Sequence, residues 1–159
     1  MPLLSKRAAE ALVACMFIAR RSSSGTYVPT RTIASSLHLP PQHLAKVMHT
    51  MTAAGVLRSH RGPGGGVALA RPAEDISLLD VVCVLQDAEL LQVCPIGRQG
   101  CAEDPPCPLR DRWIAQRARV YILFADTTLK DWVDGAAESR CTNWFDDMNA
   151  RLRRPRRKQ

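Results

Sequence analysis

With 159 residues, 46% of them hydrophobic, the chain can bury one good core and an appended element, which excludes two large domains. Its net charge of +7 conceals a division: residues 1–71 carry nine Lys or Arg against Glu10 alone, residues 72–150 carry fourteen acidic groups against seven basic ones, and the closing RLRRPRRKQ adds six more cations. Only the N-terminal half gains by neutralising phosphates, so a polyanion partner belongs there, and no run reaches the roughly 18 apolar residues of a membrane helix.

The first segment places Ala9, Leu12, Val13, Met16 and Phe17 at i, i+3, i+4, i+7 and i+8, the spacing of an amphipathic helix with one buried face. Its run ALVACMFIA imitates the apolar core of a secretory signal, but Glu10 precedes it and ARRSSS stands where a small-residue cleavage site belongs. The expectation is a cytoplasmic chain whose thiols stay reduced, which argues against disulfides among its six cysteines.

SSSGTYVP breaks this helix, and Thr30 is placed to cap a short second one with Ile33, Ala34 and Leu37 facing inward. Leu39-Pro40-Pro41 ends it and pre-sets a third helix, whose apolar stripe is Leu44, Val47, Met48 and Met51 and whose natural stop is Gly55. The opposite face carries Gln42, His43, Lys46, His49 and Thr50. Two short helices joined by a tight turn, the second polar and basic outside, meet the requirements of a helix-turn-helix. VLRSH and VALA then read as two strands around RGPGGG, a hairpin. Ser77 with Asp80 makes a capping-box start for a helix through Leu79, Val82 and Leu85, a segment in which Cys83, like Cys15 in the first helix, reads as core packing.

After Cys107 a long helix follows, with Leu109, Trp113, Val120 and Phe124 in one line and Ile114 and Tyr121 beside it. So wide a stripe on an isolated rod asks for another surface, and a second subunit supplies it most economically. The fold class expected is mainly α with a small β-hairpin wing: a winged helix-turn-helix over 1–75, a cysteine loop and dimerisation helix over 76–133, and an extension over 134–159 whose basic tail reads as disordered.

Two groups of residues carry chemistry. The hairpin tip presents Arg58, Ser59, His60, Arg61 and Gly62; it lacks the Lys-Ser/Thr ending of a phosphate-binding loop, and a strand rather than a helix follows, which disfavours a nucleotide-binding enzyme. As a wing, such a tip can enter a minor groove, while Gln42, His43, Lys46 and His49, with Arg31 on the preceding helix, face the major groove and backbone. The second group is CPIGRQGCAEDPPC, with Cys94, Cys101 and Cys107. Thiolates bind zinc and iron-sulfur clusters alike; the spacing lacks the tight zinc knuckle, and all four histidines lie in the other half of the chain. No CxxC pair marks a thiol-redox enzyme, so redox thiols or incidental cysteines are the remaining alternatives.

SKRAAEAL, then RTIASSLHLPPQHLAKVMHTMTAAGVLRSHRGPGGGVALARPAEDISLLDVV, the three spaced cysteines and TLKDW together resemble the IscR/NsrR family of winged-helix bacterial transcription regulators. The resemblance covers residues 3–133, and GVLRSHRGPGGG is its most specific run. It implies a non-enzymatic homodimer on a palindromic double-stranded DNA operator, acting as a repressor, with an iron-sulfur cluster held by Cys94, Cys101 and Cys107 and 2Fe-2S preferred over 4Fe-4S. Family members that use a histidine as fourth ligand place it where this chain has Arg110. Others use a carboxylate from the partner's first helix; Ala9 occupies that position here, which makes the neighbouring Glu10 the candidate, beside water, Glu103, Asp104 or Cys141. The alternative is a clusterless regulator controlled by thiol oxidation, a partner protein or a small effector.

Overall fold

The computed structural model describes residues 4–21, 26–85 and 107–138. In chain order these form α1 (Lys6–Arg21), α2 (Thr30–Leu37), α3 (Pro41–Ala53), β1 (Leu57–His60), β2 (Gly66–Leu69), a single 3₁₀ turn at Ala73–Asp75, α4 (Leu78–Leu85), α5 (Arg110–Asp126) and α6 (Leu129–Glu138).

The first helix departs from the one-sided pattern its sequence suggests. Every residue from Glu10 to Ile18 is buried, because α2, α3, α4, α6 and β2 all pack against α1. A helix that is apolar nearly all round is a central one, and the ALVACMFIA run is explained by that enclosure.

Thr30 is the first helical residue of α2 rather than its cap; Pro29 holds the capping position at φ −59° and ψ 132°. The inward positions Ile33, Ala34 and Leu37 are as expected, all fully buried. His38 ends α2 in the left-handed region at φ 52°, where Leu39 N–H donates to the Ala34 carbonyl at 2.9 Å, and the chain turns directly into Pro40 and Pro41. Pro41 opens α3 at no hydrogen-bonding cost, because first-turn amides lack helical partners anyway. The expected stripe Leu44, Val47, Met48 and Met51 is the buried set of α3, and Gly55 at φ 75° closes the helix while Val56 N–H donates to the Met51 carbonyl at 3.1 Å.

β1 and β2 pair antiparallel, with Leu57 opposite Leu69, Arg58 opposite Ala68, Ser59 opposite Val67 and His60 opposite Gly66. At the tip, Gly65 N–H donates to the Gly62 carbonyl at 2.9 Å across Pro63 and Gly64, the latter at φ 72°, the position a type II turn reserves for glycine. Val28 adds a third rung: its N–H and C=O exchange bonds of 2.8 and 2.9 Å with Val67, tying the α1–α2 connection to the hairpin.

α4 and α6 start side by side. Ser77 and Asp80 form the expected capping box, each bonding the other's backbone N–H at 3.0 and 3.2 Å. Thr128 and Asp131 form a second one at the head of α6. The two starts are joined by Leu78 N–H to Thr127 O at 2.9 Å and Leu129 N–H to Ile76 O at 2.8 Å, with Ile76 and Leu129 both fully buried. This pairing sets the rotation of α4, so its buried residues are Leu78, Val81 and Val82 instead of the Leu79, Val82 and Leu85 line, and Cys83 is exposed rather than in the core. Cys15 is fully buried as expected. The boundary expected after residue 133 falls within α6.

α5 buries none of its residues: Ile114, Tyr121, Ile122 and Leu123 are exposed, as is Leu109 just before it. Trp113, Val120 and Phe124 are only half-buried. Among the described residues no helix is long and apolar enough to cross a membrane.

Candidate nucleic-acid interface and the cysteine segment

α3 is seated by its apolar stripe, and this dictates which side chains point away from the core. Gln42, Lys46 and His49 are exposed, as is Arg31 on α2, while His43 is half-buried. The hairpin seats itself in the same manner: Leu57, Val67, Ala68 and Leu69 are buried, leaving Arg58, Ser59, His60, Arg61 and Gly62 exposed. The described structure thus presents two basic, solvent-facing elements, a helix face and a narrow tip, in the combination expected for reading a major groove while contacting backbone or minor groove.

Two contacts near this surface escaped the sequence reading. Tyr27 lies under the wing, with Arg58 stacked over its ring at 5.4 Å and the His60 ring tilted against it at 5.4 Å. Arg58 and His60 alternate onto one side of β1, and Val28's bridge to Val67 is what brings Tyr27 beneath them. The only local signal was the aromatic residue next to the Val-Pro that breaks α1 from α2. The second concerns Glu10, whose carboxylate is completely enclosed: His43 Nε2 and Oε2 share a 2.6 Å hydrogen bond, and Lys6 Nζ stands 3.8 Å from Oε1. Thirty-three residues separate Glu10 from His43, so periodicity within either helix could not announce the pair.

Of the residues expected to hold a cluster, Cys94 and Cys101 lie outside the described residues, as do Glu103, Asp104 and Cys141. Cys107 is described: its thiol is free and half-buried, and its carbonyl accepts from Arg110 N–H at 3.0 Å in the turn that launches α5. Three thiolates are chemically suited to iron or a cluster. Glu10, the fourth donor expected from the resemblance, is fully buried and bonded to His43 at 2.6 Å. Among the described residues no three His, Cys, Asp or Glu side chains converge on a metal position. The buried Cys15 thiol is pushed up to about 12 by desolvation, which removes it as a ligand or a reactive thiol.

Comparisons with known proteins agree with this arrangement. The family model described as "Rrf2: Iron-dependent Transcriptional regulator" matches residues 4–135. A protein from Mycobacterium tuberculosis named as an HTH-type transcriptional regulator is 35% identical over 144 residues, covering 89% of this chain and 88% of its own. NsrR from Oceanobacillus iheyensis is 28% identical over 109 residues, covering 68% of this chain and 74% of its own. Among solved structures, CymR, the global cysteine regulator of B. subtilis, superposes with a TM-score of 0.70 at 25% identity, covering 84% of this chain and 98% of that one. IscR from T. potens, at 22% identity and a TM-score of 0.67, shares the fold over 86% of this chain and 90% of its own. With a winged helix-turn-helix in place, basic side chains on its helix and wing, and a family match running nearly from α1 to α6, the chain belongs to the Rrf2 family and is a DNA-binding transcriptional regulator, not an enzyme.

Proposed function

We propose that this regulator binds a palindromic DNA operator as a homodimer, acts as a repressor, and adjusts its operator affinity through an iron-sulfur cluster held by Cys94, Cys101 and Cys107. The observation that carries the cluster is the conjunction of a family match described as iron-dependent with three cysteines ending at the root of α5. The bond between the Glu10 carboxylate and His43 favours water, Glu103, Asp104 or Cys141 over Glu10 as the fourth ligand. When bound, a 2Fe-2S cluster with a non-cysteine ligand supplies a centre open to oxidants or nitric oxide.

This chain's own residues supply the coupling. Cys107 is joined by one turn to α5, and α5 is followed by Thr127, whose carbonyl is bonded to the first residue of α4. Holding or releasing Cys107 therefore acts on the base of the helix that, in this reading, spaces the two DNA-reading heads. A differential of about 1.4 kcal/mol between the two states is enough for a tenfold change in operator affinity. The exposed apolar side chains of α5 support the dimer, since Ile114, Tyr121, Ile122 and Leu123 are left uncovered by the described residues and ask for a partner surface.

Anaerobic purification followed by iron and acid-labile sulfide assays tests the cluster. The expected result is a coloured protein with stoichiometric iron and sulfide, lost in the Cys101→Ala variant; a colourless, iron-free protein with full operator affinity overturns it. That second outcome belongs to the rival reading, a clusterless regulator governed by thiol oxidation, a partner or a small effector, which the likeness to a cysteine regulator favours. Arg61→Ala tests the wing: operator binding is expected to fall strongly with the dimer intact.

A further inference from the structure

The Glu10 carboxylate is the sole acidic group of residues 1–71, it is wholly enclosed, and it faces a histidine on the helix that meets DNA. Its Oε1 has no hydrogen-bond partner among the described residues, Lys6 Nζ standing too far away at 3.8 Å. A half-satisfied charge between two packed helices is an expensive way to join them, and an apolar side chain of similar volume would serve packing at least as well. What a carboxylate offers and a leucine does not is control over the ring of His43.

We infer that Glu10 is a positioning residue for DNA reading: it fixes the rotamer and tautomer of His43 so that Nε2 is withheld and Nδ1 is the ring nitrogen presented to the operator. A carboxylate accepts only, so the Nε2 proton stays on the Glu10 side of the ring, and a ring anchored at Cβ and at Nε2 has lost its torsional freedom before DNA arrives. The His43 side chain remains 40% accessible. His43 is the third residue of α3, in the turn that enters a major groove first, flanked by the exposed Gln42 and Lys46. Set in this way, Nδ1 reads one base pair per half-site, whereas a mobile imidazole would contact several indifferently.

The inference rests on α3 being the DNA-reading helix, and one selection experiment separates the two. The full-length protein is used to select operator sequences from random duplex DNA, and the same selection is run on Glu10→Gln, Glu10→Met and His43→Ala. Expected is a base-pair preference in each half-site that Glu10→Met and His43→Ala both relax, by roughly tenfold, with the double variant no worse than either. A wild-type protein that selects no sequence overturns the reading of α3 and this inference together. A wild type that selects an operator while a folded Glu10→Met variant keeps the same preference overturns the inference alone. So does a loss spread evenly over all positions, the mark of a merely structural carboxylate. Should the Glu10 variants not fold, imidazole nitrogen NMR of the wild type decides: Nδ1–H as the neutral tautomer of His43 overturns the inference, and Nε2–H supports it.

Discussion

The guanidinium of Arg58 lies over the Tyr27 ring, 5.4 Å from its centre, and the His60 ring leans on the same aromatic side chain from two residues further along β1. Tyr27 therefore acts as a platform that holds two of the wing's three basic residues on one side of the strand. Stacking of this kind is worth about 0.5–1 kcal/mol at an accessible site. Tyr27→Ala is expected to weaken operator binding about twofold to fivefold in a gel-shift or anisotropy titration, and Tyr27→Phe to leave it near wild type, since the ring and not the hydroxyl faces Arg58.

Gly66 sits where β2 meets the Val28 segment, and a Cβ there would overlap the Val28 carbonyl oxygen, a backbone atom unable to rotate away. Gly66→Ala must separate Val28 from Val67 or distort the hairpin. A loss of about 1–3 kcal/mol is expected in chemical denaturation, the usual cost of overpacking.

At the head of α6, Thr128 donates to Asp131 through both its hydroxyl and its backbone N–H, which lowers the Asp131 pKa below the ordinary 3.8. A carboxyl depressed by folding contributes stability above its unfolded pKa and loses it as pH falls through the folded value. Asp131→Ala is thus expected to melt below wild type at pH 7, with the gap closing as the pH is taken below about 3.8. A gap that stays constant into acid would rule out the carboxylate as its source.

Ile122 and Leu123 are 54% and 60% exposed on α5. If they lie in a subunit interface, Ile122→Asp buries a charge there and should give monomers by sedimentation at micromolar concentration while the head remains folded. A dimer of unchanged stability would move the interface elsewhere.

The Cys15 thiol, buried and pushed up to about 12, should resist alkylation at pH 8 in the native protein and react only after denaturation. Peptide mass spectrometry against the exposed Cys83 as internal control gives the measurement.

The elements legible in the sequence were those defined by contacts close along the chain. The Leu44, Val47, Met48 and Met51 stripe, the Pro-Gly turn and the Ser77–Asp80 box each span only a few residues, and each stands as expected. What escaped depends on partners brought from afar. α1 read as one-sided because α6, more than a hundred residues later, supplies part of its cover. Cys83 read as core because the rotation of α4 is set by backbone bonds from Thr127 and Leu129, which no periodicity encodes. Thr128-Leu-Lys-Asp131 did carry the same capping signature as Ser77-Leu-Leu-Asp80, and its start could have been found by the same rule.

The joined starts of α4 and α6 have a mechanical meaning. α5 is about 25 Å long at 1.5 Å per residue, is clamped to the DNA-binding head at its Thr127 end and carries Cys107 just before its other end. In the proposed reading it is a cantilever: a displacement applied near Cys107 would reach the clamp as torque on α4 and α6, both of which pack on α1, the helix that carries Glu10. Leu129 and its helix complete the head's core from beyond the lever, so cutting the chain after α5 is expected to remove the clamp together with part of the core.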